Sequence, residues 1–317
     1  MKILKKLALL FVMSLPVLFT ACKKDNNRTP KETILLESAT IQTSGVNVGI
    51  RFNYDDQNRV TEAYEYFLNE NPTTHKMDTS SYLKYTFDRS VSGVVTSKQY
   101  YYDNTSNRWD ESANSFKTIH NGAKISKIEF YSSNTLYQTN ALTWSGDKVT
   151  KIYNETTSTD EAAAKYSNGN YVDNDPIINE YESATSYTKN SSSSSTTFNS
   201  HKNYLDIVPV EYIFIGNFRS MMFPIGEYFS DNGISEITYT YKYEQFLADK
   251  TTKTYTATDT KTTKYAYTYG NLTNTYPTVV KQTITGSYKT EDFLNPSNNS
   301  DTPSNDEVII NLSLIKK

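Results

Sequence analysis

One short phrase recurs along the chain and constrains its fold more than any other feature. It consists of a polar turn, an aliphatic residue, a hydroxyl or charged residue, and a further apolar residue. After each turn, apolar and polar residues alternate with the two-residue period of a β-strand. Strand-like segments also precede the turns, so each unit predicts strand, tight turn, strand, and consecutive units predict an antiparallel meander. The four copies of the phrase span residues 57–64, 121–130, 145–153 and 231–239.

Each copy carries a residue suited to a hairpin turn. A tight hairpin needs a positive φ, which glycine adopts freely and asparagine tolerates. Asn58, Gly122, Gly146 and Gly233 occupy this place in the four phrases. The sequence therefore predicts a positive φ and a hairpin at all four positions.

The composition indicates an all-β protein. The chain has 27 Tyr and 14 Phe but only 11 Gly and two Trp. Tyr, together with the abundant Thr, fits a half-buried pleated surface, and no apolar run with a 3.6-residue period reaches helix length. The formal net charge of −3 shows no basic excess, which argues against nucleic acid as a partner.

Several motifs resemble known families. The segment 54–61, YDDQNRVT, resembles the YD repeat of Rhs-type surface proteins. Together with 228–234, YFSDNGI, and 269–278, YGNLTNTYPT, it resembles a family of uncharacterised Bacteroidota lipoproteins that have a porin-like fold. This resemblance implies a large up-and-down antiparallel meander that closes into a barrel or forms a strongly curved sheet. It implies no activity.

The predicted β-domain is porin-like in shape but is not expected to span a membrane. A membrane barrel needs strands with a continuous apolar outer band. The strand-like segment 261–269 instead places Thr and Lys where one face would meet lipid. The last predicted strand, 308–315, is expected to close or edge the sheet.

The N-terminus has the pattern of a lipoprotein signal. Residues 1–21 combine a basic start, an apolar stretch and small residues before Cys22. The segment 19–22, FTAC, resembles a lipobox, so Cys22, the single cysteine, is expected to begin the mature chain and to carry palmitate and other acyl chains. The segment 22–33 is then a flexible tether. The alternative is an ordinary secretory signal with an incidental cysteine.

The residues after Cys22 bear on location. The segment 23–25, KKD, resembles the signal that sends Bacteroidota lipoproteins to the cell surface. The expected location is the outer membrane, with the protein lipid-anchored and facing the cell exterior. The periplasmic face is the alternative.

The single β-domain expected over 34–317 contains an apolar interruption at 204–229. Two prolines and two glycines exclude one long helix there. An irregular plug or lid is the first interpretation. The alternative is a docking surface or the wall of a ligand pocket, formed by Tyr212, Phe214, Phe218, Met221 and Met222.

The domain also contains a polar stretch at 154–203 with five consecutive serines at 191–195. Its composition predicts long loops. One strand is expected within it, at 177–187.

No catalytic, metal-binding or cofactor-binding motif stands out. His75, His120 and His201 are far apart and lack metal-ligand spacing. Residues 173–175, DND, read as a solvated turn rather than a calcium loop. Many pairs of acidic residues could be suggested for glycoside hydrolysis, for example Glu62 with Glu65 or Asp55 with Asp56, and the sequence distinguishes none of them. No catalytic residue, metal or cofactor is predicted.

The aromatic residues suggest a binding role, because sugar rings stack on Tyr and Trp. The first candidates are Trp109, Trp144, Tyr100, Tyr101 and Tyr102. Cross-strand packing within a large sheet is the competing explanation. The leading hypothesis is a non-catalytic envelope protein that binds or scaffolds an extracellular glycan or protein. The alternative is an envelope enzyme, such as a glycan hydrolase with loop carboxylates.

Overall fold

The computed structural model describes residues 33–43, 47–70, 77–172, 177–216 and 225–317. Several predictions lie outside these residues and are not addressed by the structure. They concern the signal 1–21, Cys22 and the tether as far as residue 32, and also His75, the turn 173–175, Phe218, Met221 and Met222.

Residues Ile34–Lys317 form one compact unit, and its described backbone is mostly antiparallel β-strand. The all-β prediction is confirmed. The strands are β1 (Ile34–Gln42), β2 (Asn47–Tyr54), β3 (Val60–Glu70), β4 (Met77–Asp88), β5 (Val94–Asp103), β6 (Arg108–Asn121), β7 (Lys124–Ser132), β8 (Thr135–Ser145), β9 (Lys148–Asn154), β10 (Thr159–Ala163), β11 (Lys165–Ser167), β12 (Asn170–Val172), β13 (Ile177–Glu182), β14 (Ser186–Lys202), β15 (Asn232–Leu247), β16 (Lys253–Tyr269), β17 (Pro277–Asp292) and β18 (Ser300–Lys316).

Helical structure is short. The described helices are α1 (Val210–Ile215) and α2 (Ile225–Tyr228), with 3-10 turns at Tyr204–Ile207 and Pro296–Asn298. Within the described ranges, no helix has the length and apolarity that a membrane-spanning helix needs.

Sixteen of the strands form one open sheet. Its order is β10-β9-β8-β7-β6-β5-β4-β3-β2-β1-β18-β17-β16-β15-β14-β13. β18 therefore neither closes nor edges the sheet. It pairs with β1, from Ile34 opposite Lys316 to Gln42 opposite Ile309, and with β17 on its other side. Of the two predicted forms, the molecule takes the open sheet, with β10 and β13 at its edges.

The sheet curves around residues 204–216 and 225–229, the described parts of the apolar segment. Phe229 contacts Trp144 of β8, with ring centroids 5.4 Å apart, and Tyr204 contacts Tyr267 of β16 at 6.1 Å. The Asn203 side-chain amide donates hydrogen bonds to the backbone oxygens of Glu227 at 2.7 Å and Ser230 at 3.1 Å, which holds the two ends of the segment together. In the strand order, β8 and β16 are ten steps apart. On a flat sheet they would be about 48 Å apart, at about 4.8 Å per step, so the sheet must be strongly curved.

A small hairpin, β11–β12, bridges the two sides of the curved sheet at one end. The Ala164 N–H, just before the hairpin, donates to the Thr150 oxygen of β9 at 2.9 Å. From β12, the Tyr171 N–H donates to Ser230 Oγ at 3.0 Å, and Asn170 Oδ1 accepts from the Asn232 N–H at 2.9 Å. We call this junction, residues 147–150, 164–171 and 230–232, the seam.

The inner face of the sheet and the described parts of segment 204–229 form the core. Alternation along each strand places aliphatic and aromatic residues on this face, and burying each large apolar side chain contributes about 1.5–3 kcal/mol. Tyr212 and Phe214 of α1 are 1% and 5% exposed, so a docking surface made from these two rings is excluded. The most deeply buried apolar side chains are Ala63, Tyr85, Ile125, Ile128, Val149, Leu205, Tyr212, Ile234 and Val280.

The expectation of long loops over 154–203 is wrong. The region contains β10 to β14, and the serines 191–195 lie within β14, which runs for 17 residues. Composition misleads here because the backbone, not the serine side chain, makes the ladder bonds, and β15 supplies a Tyr- and Thr-rich partner along most of β14. The strand expected at 177–187 is two strands, β13 and the start of β14, joined by a turn.

The turn predictions are confirmed at three of the four positions. Asn58, Gly122 and Gly146 have φ values of 63°, 63° and 58°. Gly233 does not have a positive φ and lies inside β15, so the fourth hairpin is wrong. The chain enters β15 from α2 rather than from a preceding strand, and no tight turn is needed there.

Candidate functional site

Aromatic residues from four adjacent strands meet on the outer face of the sheet, away from the core. Ala63 and Glu65 of β3 are buried on the inner face, so Tyr64 and Tyr66 point to the outer one. Pairing places Tyr66 opposite Tyr82 of β4. We call the group Tyr64, Tyr66, Tyr82, Tyr102 and Trp109 the aromatic patch.

Trp109 is the centre of the patch. Its ring lies 5.9 Å from Tyr64, 6.2 Å from Tyr82 and 5.2 Å from Tyr102, each in an edge-to-face arrangement. Tyr66 lies 6.1 Å from Tyr82. Such pairs contribute about 0.5–1.5 kcal/mol beyond area burial, and all five side chains remain partly exposed. The patch is therefore ordered and still accessible.

A glycine on the neighbouring strand makes room for the patch. Gly49 of β2 pairs with Tyr66, and a Cβ at Gly49 would overlap the Tyr66 ring. Because glycine has no side chain, this ring can lie across β2. A larger residue at this position would displace it.

Two cations lie over these rings. The Arg51 guanidinium is 4.6 Å from the centroid of Tyr64, and the Lys84 ammonium is 4.7 Å from Tyr100 and 5.0 Å from Trp109. In the part of the chain that the structure describes, neither cation has a carboxylate within ion-pair distance. Among the described residues, therefore, no acidic side chain forms an ion pair with the two cations of the patch.

Two acids border the patch and are hydrogen-bonded or paired to groups other than Arg51 and Lys84. Glu62 accepts hydrogen bonds from the Asn53 amide at 2.7 Å and from the Tyr64 hydroxyl at 2.8 Å. Glu111 pairs with Lys98 at 2.8 Å. Burial, followed by the hydrogen bond to Glu62, raises the pKa of Tyr64. Its hydroxyl therefore stays protonated at neutral pH.

The structure separates the aromatic residues suggested by the sequence. Trp109 and Tyr102 belong to the patch, and Tyr100 lies beside it under Lys84. Tyr101 points to the opposite face. Trp144 lies far from the patch against Phe229, and its indole N–H donates to the Ile125 oxygen at 2.6 Å.

The other residues at this site, which the sequence pattern does not single out, are Arg51, Tyr64, Tyr66, Tyr82 and Lys84. Their alternation on β2, β3 and β4 puts them on one face. Only the cross-strand register brings them next to Trp109. The hairpin at Asn58 gave part of that register, since it fixes the pairing of β2 with β3.

The suggested acid pairs do not form a cleft. Glu62 is on the outer face, whereas Glu65 is buried on the inner face and accepts a hydrogen bond from the Tyr212 hydroxyl at 2.6 Å. Asp55 accepts from the Arg59 side chain at 2.8 Å, as part of a turn. Across the described ranges, no cluster of three or more His, Cys, Asp or Glu residues suits a metal ion.

A pocket of about 420 Å³ opens at the seam. Its apolar wall comes from residues 208–213 and 228–229, and its polar rim comes from Asp206, the β8–β9 turn, the end of β14 and the residues just before β15. We call it the seam pocket. It is lined by Asp147, Lys148, Lys202, Asp206, Val208, Val210, Ile213, Tyr228, Phe229, Ser230 and Asp231.

The fold and sites define an all-β protein whose open antiparallel sheet carries an aromatic, cationic surface and a separate pocket. No protein-family model and no curated protein matches the chain. A porin-like protein from Bacteroides uniformis is similar in structure, with 10% identity, coverage of 88% of this chain and 96% of that chain, and a TM-score of 0.44. A porin-like protein from Bacteroides vulgatus has 7% identity, coverage of 89% and 98%, and a TM-score of 0.22. At these values, neither similarity carries a function over to this chain.

Proposed function

We propose that this chain is a non-catalytic, lipid-anchored protein of the outer membrane that binds an acidic glycan outside the cell. The aromatic patch, with Arg51 and Lys84, is the proposed binding surface. The observation that supports the proposal is the position of these two cations over partly exposed rings, with no ion-pair partner among the described residues.

The chemistry of the patch fits a sugar that carries carboxylate or sulfate groups. The C–H face of a sugar ring packs against an aromatic face, as Trp109 and the surrounding tyrosines offer. An anionic group on the sugar then pairs with Arg51 or Lys84. A cation over an aromatic ring at an exposed site contributes about 0.5–1 kcal/mol, so the bound anion can add to this contact without dismantling a strong ion pair.

The salt dependence of binding distinguishes this mechanism from stacking alone. Exposed charges are screened over about 10 Å at about 0.1 M salt and over about 3 Å at about 1 M. Binding of an acidic glycan should therefore weaken as salt is raised. A neutral glycan that only stacks on Trp109 should show little salt dependence.

The test is a titration of the full-length chain in detergent with polygalacturonate, using dextran as the neutral control. Trp109→Ala and the double variant Arg51→Gln/Lys84→Gln should each weaken polygalacturonate binding by at least about tenfold, or about 1.4 kcal/mol. Lys264→Gln, at an exposed lysine on another part of the sheet, is the matched control and should bind normally. Equal binding of dextran, or normal binding by both patch variants, would contradict the proposal. Capture of a protein partner by the same patch would also contradict it.

Anchoring has a separate test. The lipobox-like segment before Cys22 supports acylation, and several acyl chains on one residue give stable membrane attachment. Cys22→Ser should abolish palmitate labelling and release the protein from the membrane fraction. Protease treatment of intact cells should degrade the wild-type protein if it faces the exterior. Protection from protease would instead favour the periplasmic face.

A further inference from the structure

We propose that the seam pocket binds a small, neutral, hydroxyl-rich ligand, of the size of one or two sugar units. This inference is independent of the aromatic patch. The two sites share no residue, and they lie at opposite ends of the sheet, because the β5–β6 turn next to Trp109 and the β8–β9 turn at the pocket are three turns apart in an antiparallel meander.

One wall of the pocket is apolar. Val208, Val210 and Ile213 come from α1 and the residues just before it, and Tyr228 and Phe229 come from the end of segment 204–229. Phe229 is fixed by its contact with Trp144 at 5.4 Å. This wall offers a preformed apolar surface to the C–H face of a ligand.

The rim of the pocket carries paired charges. Lys148 forms an ion pair with Asp231, and Lys202 forms one with Asp206 at 2.7 Å. The Lys202 ammonium also donates to the Tyr276 hydroxyl at 2.6 Å. Asp147, the remaining acid, is 83% exposed and lies 3.8 Å from Lys148. The rim is thus rich in donors and acceptors but nearly balanced in charge.

This balance selects against charged ligands. An anion would face the carboxylates of Asp147, Asp206 and Asp231, and a cation would face two ammonium groups. Hydroxyl groups both donate and accept, so they can bond to a lysine and an aspartate together. An ammonium has three donors and a carboxylate about four acceptor sites, which leaves capacity beyond the existing pairs.

Lys202 keeps its charge in this setting. Burial lowers its pKa, but the hydrogen bonds to Asp206 and Tyr276 and the negative charge of Asp206 outweigh burial, so that the pKa is raised. Lys202 is therefore a donor at any physiological pH. The volume of about 420 Å³ also lies within the range of about 300–1,000 Å³ usual for small-molecule sites.

The pocket spans the seam, and this gives the ligand a second effect. Asp147 and Lys148 belong to the β8–β9 side, whereas Lys202 and Asp231 belong to the β14–β15 side. A ligand in contact with both sides links them. Binding to the folded state should therefore raise the midpoint of thermal unfolding, and the rise should continue with the logarithm of ligand concentration above the Kd.

The experiment measures binding of maltose, cellobiose and lactose to the full-length chain in detergent, by saturation-transfer NMR and calorimetry. Glucuronate and glucosamine are the charged comparison probes. At least one neutral disaccharide should bind more tightly than both charged probes and should raise the unfolding midpoint. Val210→Trp fills the pocket and should weaken that binding by at least about tenfold. Val91→Trp adds the same ring at an exposed turn and should bind normally.

A second variant tests the proposal if Val210→Trp does not fold. Lys202→Met removes the Lys202 donors from the rim without adding bulk and should weaken disaccharide binding by at least about fivefold, with an unchanged circular-dichroism spectrum. The proposal is overturned if none of the three disaccharides binds, if either charged probe binds more tightly, or if the folded variants bind like the wild type.

Discussion

The two halves of the sheet are built on different principles. In the N-terminal half, β2 to β9 have 7 to 14 residues, and one face of each is buried. In the C-terminal half, β14 to β18 have 16 or 17 residues. Their aliphatic residues are concentrated near the seam, where Ile234 and Val280 are fully buried. Farther along, Tyr239 and Tyr288 are 38% and 46% exposed.

The long strands show that strand formation here does not require a core along the whole strand. On one face of β15, β16 and β17, Thr238, Thr262 and Thr285 stand side by side. Thr and Tyr favour strands, and cross-strand pairs of this kind contribute about 0.2–1 kcal/mol each. The exposed ion pair of Lys281 with Glu307 adds at most about 1 kcal/mol. The C-terminal half is thus held by many small contributions, and the N-terminal half by a few large ones.

The largest expected effect tests this difference with one residue type. Ile128→Ala, in the N-terminal core at 1% exposure, should reduce the free energy of unfolding by about 2–5 kcal/mol. Ile178→Ala, in β13 at 52% exposure, should change it by no more than about 0.5 kcal/mol. Denaturant unfolding followed by circular dichroism measures both values. Equal costs would mean that the C-terminal half has a core of its own.

A smaller effect distinguishes the turns of the two halves. Gly146 has a φ of 58° and open space around it, so Gly146→Ala introduces only backbone strain. The cost should be about 1–2 kcal/mol. Gly233 lies within β15 and has no positive φ, so Gly233→Ala should cost less and meets only the side chains of Asn199 and Tyr267. Denaturation curves of the two variants, measured side by side, give the two losses in free energy of unfolding. A larger loss for Gly233→Ala than for Gly146→Ala would support the hairpin predicted at Gly233 from the sequence.

The smallest expected effect is one that both halves should show, at a turn carboxylate in each. The Arg59 side chain, followed by its backbone N–H, lowers the pKa of Asp55 to about 2, and the Thr252 hydroxyl and N–H lower that of Asp249 to about 2. Both values lie below the unfolded value of about 3.9. Each carboxylate therefore stabilises the fold above about pH 4, and this contribution is lost as the pH falls from about 4 to about 2.

Unfolding midpoints measured from pH 2 to pH 6 check this expectation. Asp55→Asn and Asp249→Asn should each lower the midpoint near pH 6 and flatten its decline below about pH 4. An effect at Asp55 alone would mean that the two halves also differ in how far a turn carboxylate stabilises the fold.

Much of the fold could be predicted from the local chemistry of single residues. The rest depends on the register between strands that are far apart in sequence. Asn58, Gly122 and Gly146 identified three hairpins, because a positive φ is a property of single residues. The serines 191–195 gave no strand signal of their own, since their strand depends on the partner β15.

The candidate sites show the same limit. Trp109 and Tyr102 were recognisable as candidates from residue type alone, because Tyr and Trp rings stack on sugars. Their contacts with Tyr64 and Tyr82 depend on strands aligned over several hairpins. The seam pocket was invisible in the sequence, because Lys148, Lys202 and Asp231 meet only through the curvature of the whole sheet.

The pairing of β1 with β18 has a consequence for biogenesis. Most neighbouring strands of the large sheet are also neighbours in sequence, so each half can assemble as it is synthesised, but β1 keeps one edge unpaired until β18 is made. An exposed strand edge is a template for pairing with other chains. A chain that ends prematurely, even by a single strand, would leave that edge permanently open in the middle of the sheet. Of the described strands, β18 is synthesised after all the others, and it is the strand that protects the open edge of β1.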